Sequence, residues 1–177
     1  MRALAVAAIG LAAVVVASVA TAAGGVEIAA NLAGTSSGVQ QFCSERSFTV
    51  SGRYSSRGYL GSGTYTGTVT RQGECGEIGP GFVPLGPRFG VTASFVFSAP
   101  NGSFTASGTG DSLYSVQGAH ITDFPTTVTL AIDEGTKRYQ RASGTLTLTL
   151  DALHNGYDNS DASIGSLTGS IDPSGST

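Results

Sequence analysis

Acid–base chemistry in this chain has few sources: two histidines, twelve Asp and Glu, nine Lys and Arg, and two cysteines among 177 residues. In "GAHITDFP", His120 and Asp123 stand close enough in the chain for a carboxylate to fix an imidazole tautomer, which a general base requires. No nucleophile accompanies them and the segment links two strands, so a polar turn is the expected role. In "DALHNGYDNSD", Asp151, His154, Asp158, Asn159 and Asp161 offer hard oxygen ligands without the alternating spacing of a calcium loop. There Asn155-Gly156 marks a hairpin instead. Zinc is not expected either, because His120 and His154 lack ligand spacing to Cys43 or Cys75. No metal and no cofactor is predicted. Glu45-Arg46 reads as a surface ion pair. Asn101-Gly102-Ser103 fits the glycosylation triplet, and its Asn-Gly is the strongest hairpin signal in the chain.

The elements that carry these residues read as strands throughout. Six or seven segments alternate apolar and polar with period two, each bounded by Gly, Pro, Asn or Asp. "RSFTVSGRY" places Phe48, Val50 and Tyr54 on one face, and "RFGVTASFVFS" does the same with Phe89, Val91, Ala93, Phe95 and Phe97. "GYLGSGTYTGTVT" contributes Tyr59, Tyr65 and Val69, and "SFTASGTGDSLYSV" contributes Phe104, Tyr114 and Val116. Val128, Leu130 and Ile132, then Leu146, Leu148 and Leu150, then Leu167 and Ile171, complete the set. The expected core is Phe48, Val50, Phe95, Phe97, Phe104, Val128, Leu130, Leu146 and Leu148. No mid-strand Asp, Glu, His, Lys or Arg shares these faces. The opposite faces carry Ser and Thr, as in "TYTGTVT" and "TLTLT"; without a fixed repeat period no regular hydroxyl grid is expected.

No crossover helix is available, so the sheet is antiparallel. The expected fold is all-β, a single antiparallel, eight-stranded calycin-like barrel, with a β-sandwich as the alternative. Strand-interior glycines such as Gly61, Gly67, Gly108, Gly144 and Gly169 favour the barrel, because coiling and closure need positions without Cβ.

"MRALAVAAIGLAAVVVASVATAAGG" begins with one cation, continues as an uncharged apolar run and ends in Ala20-Thr21-Ala22, the small-x-small pattern of a cleaved leader. Residues 1–22 are therefore read as a signal peptide, with a retained membrane anchor as the alternative, 23–41 as a lead-in segment and 42–177 as one barrel domain. The expected localisation is extracellular, periplasmic or envelope, with no stable membrane insertion once the leader is removed. In an oxidising space Cys43 and Cys75 read as one disulfide, contributing roughly 3 to 4 kcal/mol by loop entropy. Cations form no block longer than Lys137-Arg138, which argues against nucleic acid as a partner. No feature specifies an oligomeric state. "RQGECGEIGPGFVPLGPRFG" is too long for a hairpin and carries Phe82, Val83 and Leu85, so it is expected to fold over one barrel mouth, tethered by Cys75.

The run Gly135-Thr136-Lys137-Arg138-Tyr139-Gln140-Arg141-Ala142-Ser143-Gly144-Thr145-Leu146, the later Gly165-Ser166-Leu167-Thr168-Gly169-Ser170-Ile171 and the upstream "GSGTYTGTVT" resemble a known strand grammar. It is that of small secreted barrels related to allene oxide cyclase and the dirigent proteins. The resemblance covers most of the chain from about residue 42. Lys137 stands where that family usually has Gly, and Gln140-Arg141 replaces a small pair. The resemblance implies an eight-stranded calycin-like barrel with a hydrophobic cavity. It transfers no catalytic set, because the family's inward carboxylates and its Asp/Arg/Tyr group have no residue-by-residue match here.

Two functions fit. One is a non-catalytic secreted barrel that binds a small apolar molecule or serves a structural role; the other is a cyclase or isomerase acting on a small hydrophobic substrate. Enzyme status stays open, leaning to the first, because the inward faces show only phenols where catalysis needs a polarised group aimed at the reacting atom. The expected ligand pocket is lined by Tyr59, Tyr65, Phe95, Phe97, Phe104 and Tyr114.

Overall fold

Burial alternates along the strands as the sequence pattern requires, apolar residues inward and Ser/Thr outward. The structure, a computed structural model, describes residues 25–39, 45–74, 88–117, 121–158 and 160–174. The leader, Cys43, Cys75, the Pro80–Pro87 segment and His120 lie outside the described residues, and so do the readings that rest on them.

The strands are β1 (Val26–Ser37), β2 (Ser47–Ser56), β3 (Ser62–Arg71), β4 (Arg88–Ala99), β5 (Gly102–Leu113), β6 (Ser115–Gln117), β7 (Ile121–Gly135), β8 (Ser143–Asn155) and β9 (Ser160–Asp172). They pair in the order β5-β4-β3-β2-β1-β9-β8-β7, and β5 then pairs with β7 to close the ring. Short β6 follows β5 on the same register, since Ser112 opposes Thr126 and Ser115 opposes Asp123. The result is a closed antiparallel barrel of eight strands, and the sandwich alternative falls because closure leaves no sheet edge between β5 and β7.

One boundary is corrected. Residues 23–41 were assigned to a lead-in, yet Val26–Ser37 is β1, lying between β2 and β9 with Ile28, Ala30 and Leu32 in the core. Its inward row of Val26, Ile28, Ala30, Leu32, Gly34 and Ser36 is matched by Ala29 and Ala33 on the outward face, so the period-two contrast is weak. The nine expected core residues are all buried.

Coiling this tightly relies on absent side chains. The Phe95 ring lies where a Cβ on Gly67, its partner across β3 and β4, would stand. A Cβ on Gly108 would collide with the Thr129 carbonyl. Register also aligns what the sequence left aperiodic. Thr70, Thr92, Thr109, Thr129, Thr147 and Thr168 oppose one another in succession around the outer wall. The hairpin expected at Asn101-Gly102 is present, with Ala99 paired to Gly102 and the turn at Pro100-Asn101. Between Thr105 and Ala106 the β5–β7 register shifts, leaving Asp133 as the extra residue, which accepts a bond from Ser107 Oγ at 3.0 Å.

The antiparallel order sends the β2–β3, β4–β5 and β7–β8 connections to one mouth of the barrel. The β1–β2, β3–β4 and β8–β9 connections, and the break between β5 and β7, stand at the other.

Candidate functional site

The first mouth is closed by rings. A 3-10 turn, Lys137–Tyr139, follows Gly135 and drops Tyr139 into the barrel, where its side chain is 1% exposed. Tyr139 donates its hydroxyl to the Leu60 carbonyl at 3.2 Å. Its ring meets Phe104 at 5.3 Å and stands edge-on to Tyr59 at 5.6 Å. Phe104 stacks on Phe97 at 5.0 Å, and Phe97 meets Phe95 at 6.0 Å, so aromatic contact runs from the turn to mid-barrel. Arg138 is exposed and lays its guanidinium 4.0 Å from the Tyr59 ring centre, while Tyr59 donates to the Arg138 carbonyl at 3.0 Å. Beneath this cap the Tyr54 hydroxyl is buried without a hydrogen-bond partner among the described residues. Burial, then the neighbouring Tyr139, push its pKa up to about 12, partly offset by Arg138.

The second mouth is polar inside. His154 continues the inward row Leu146, Leu148, Leu150 and Ala152, and opposes Asp161 across β8 and β9. His154 Nδ1 and Asp161 Oδ1 are 2.7 Å apart. Two residues deeper on β9, Ser163 donates to the Thr35 carbonyl at 3.3 Å and meets the Tyr65 hydroxyl at 3.0 Å. Burial raises the Tyr65 pKa, and the Ser163 bond opposes that rise. Ser36 Oγ donates to the carbonyls of Leu153 and Ala162, each at 3.1 Å. Thr126 Oγ1 donates to the Phe124 carbonyl at 3.1 Å and lies 2.9 Å from Ser112 Oγ. Arg71, buried at the end of β3, reaches the Gly73 carbonyl and faces the Phe89 ring at 5.8 Å. Phe124 links Phe48 at 6.0 Å to Tyr114 at 5.1 Å. Burial alone raises the Tyr114 pKa.

Asp123 is 8% exposed, with Oδ1 lacking a hydrogen-bond partner among the described residues. Its pKa is pushed up to about 6 by burial first and by Asp151 second, against a backbone bond at Phe124. Alternation turns it to the opposite side of β7 from Phe124 and Thr126.

The six residues expected to share a pocket are thus divided. Tyr59, Phe97 and Phe104 belong to the capped mouth, Tyr65 and Phe95 to the middle, and Tyr114 to the polar mouth. Five grooves bounded by described residues, of about 290 to 750 Å³, are lined mainly by outward-facing side chains, and none brings Tyr65, Phe95 and Tyr114 together. The mid-strand inventory missed Arg71, His154 and Asp161 because they face inward at strand ends. Ser36, Ser112, Thr126 and Ser163 went unremarked as small polar residues on otherwise apolar rows.

In the acidic segment, Asp158 Oδ1 accepts from the Ser160 amide at 3.0 Å and Asn155 Oδ1 from the Tyr157 amide at 3.1 Å, so these carboxyl and amide groups close the turn between β8 and β9. Among the described residues no three His, Cys, Asp or Glu converge on a point that could hold a metal. Arg46 pairs with Glu74 at 2.5 Å rather than with Glu45, both side chains being exposed.

No family model, curated protein or solved structure matches the chain.

Proposed function

We propose that this protein is an exported, non-catalytic β-barrel that receives one small, largely apolar molecule at its polar mouth. The observation that carries the reading is the difference between the two ends. One is sealed by the Tyr139 plug, whereas the other combines Phe48, Phe124 and Tyr114 with the inward His154–Asp161 pair, whose Asp161 side chain is 33% exposed. Small-molecule sites couple an apolar wall to a few fixed polar groups. Export rests on the leader pattern of residues 1–22, and kinship with the allene oxide cyclase and dirigent barrels rests on the strand grammar alone. The test is mass analysis of small molecules extracted from purified protein, followed by titration with apolar fluorescent probes. A single retained compound or saturable uptake near one probe per chain is expected; a protein that takes up no probe and releases no compound leaves only a structural role.

A second reading has one observation in its favour. An imidazole whose Nδ1 is held by a carboxylate is oriented as a general base, which suits a cyclase or isomerase working on an apolar substrate. Turnover of a bound compound that stops in His154→Gln while binding persists would select it over simple binding.

A further inference from the structure

We infer that the seam where β6 joins β7 is a pH-sensitive latch at the polar mouth, fastened while Asp123 carries a proton and loosened when Asp123 ionises. The latch is independent of the ligand reading above, because it follows from where the ring of strands is held least. The β5–β7 ladder ends with Ser112 opposite Thr126, Tyr114 interrupts it, and β6 resumes the same register for three residues, Ser115–Gln117. β6 also ends the strand order, so among the described residues only β7 pairs with it. A strand held along one edge by so short a ladder is where local opening costs least. Tyr114, between β5 and β6, stands edge-on to Phe124 at 5.1 Å, so a loosened β6 also frees a ring of the polar mouth.

Asp123 stands in this seam, opposite Ser115 on β6 and Leu153 on β8, with Oδ1 buried and unpartnered among the described residues. Protonated, it is a neutral group with one unmet acceptor; ionised, it is a buried charge, which costs far more. The neighbouring elements offer no compensation. β6 carries no ionisable residue. From β8, Asp151 lies opposite Pro125, on the same side of the ladder as Asp123, and repels the ionised form. His154 lies opposite Thr122, on the other side of that ladder, and is paired with Asp161. Asp111 on β5 lies opposite Thr127, farther along β7. Burial first and Asp151 second raise the carboxyl to about 6 in the closed seam. Opening wets it and returns it toward the ordinary 3.8. The closed seam therefore has its full proton-linked support below the ordinary value, and that support is lost as pH rises through about 6.

The experiment is amide hydrogen exchange of the whole protein followed by NMR, corrected for the intrinsic effect of pH on exchange. Protection at Ser115, Val116 and Gln117 is expected to fall about tenfold between about pH 4.5 and about pH 7, and the Asp123 carboxyl carbon to titrate over the same range. Exchange at these three amides should depend little on urea, because a local opening exposes little surface, whereas Leu148 in the barrel floor should follow global unfolding. Asp123→Asn is expected to abolish the pH dependence at β6, and His120→Gln, which alters the nearest histidine in sequence, to retain it. Should Asp123→Asn fail to fold, the β6 amides and the Asp123 carboxyl of the unaltered protein decide. Protection at β6 that ignores pH, that follows urea as Leu148 does, or whose pH dependence survives Asp123→Asn or vanishes in His120→Gln overturns the latch. None of these results bears on whether the mouth binds a ligand.

Discussion

The two mouths are built from the same strands but solve opposite problems. At the capped mouth aromatic rings meet ring to ring, and Tyr139 anchors them through a backbone carbonyl. At the polar mouth hydroxyls, an imidazole and a guanidinium are buried, each tied to a neighbour by a hydrogen bond. Rings stabilise by burial and rigid contact, whereas buried polar groups must find partners and so leave directed bonding capacity behind. On the proposed reading the capped end is a stability element and the polar end a recognition element, although both rest on the same aliphatic floor of Leu130, Leu146, Leu148 and Leu150.

Substitutions separate these roles. Tyr139→Ala should cost about 3 to 5 kcal/mol in urea unfolding, since it removes a fully buried ring and its hydroxyl bond; uptake of probe at the polar mouth should persist in the folded fraction. Leu148→Ala, in the shared floor, should cost about 2 to 5 kcal/mol, and a neutral result would break the assignment of inward faces.

Asp123 should mark the polar end by pH. Its carboxyl is raised from the ordinary 3.8 to about 6, so the folded state holds the proton more tightly than the unfolded chain. That contribution is fully present below the unfolded value and is lost as pH rises through about 6. Asp123→Asn should therefore gain on the order of 1 to 3 kcal/mol over the unaltered protein at neutral pH and lose most of that advantage in mild acid. Parallel stability–pH curves for the two proteins would contradict it. Smallest of all, Arg138→Ala should cost about 0.5 to 1 kcal/mol, the worth of an exposed cation–π contact, read as a shift in the urea midpoint.

Much of the barrel was legible because period-two alternation is a direct image of a wall with one dry side. Phe95, Phe97, Leu146 and Leu148 could be assigned inward from pattern alone, and the structure buries them. β1 was hidden because Ala30 and Gly34 carry little hydrophobic contrast. Tyr139 was hidden for another reason, since it enters the core from a 3-10 turn where strand periodicity does not apply. His154 was legible in principle: it stands in step with Leu146, Leu148, Leu150 and Ala152, but the surrounding Asp and Asn residues read as turn chemistry. Its pairing with Asp161 depends on the β8–β9 register, and the spread of the six expected pocket residues over both mouths depends on strand direction. Composition encodes neither.

The most direct test of a recognition mouth opposed to a structural one is an NMR titration of the isotopically labelled protein with naphthol, followed at every assigned amide and aromatic resonance. The account predicts saturable shifts at Ser36, Phe48, Tyr114, Phe124, His154 and Asp161, with Tyr59, Leu60 and Tyr139 unmoved. Shifts centred on Tyr59 and Tyr139, or spread evenly along the outer threonine wall, would contradict it.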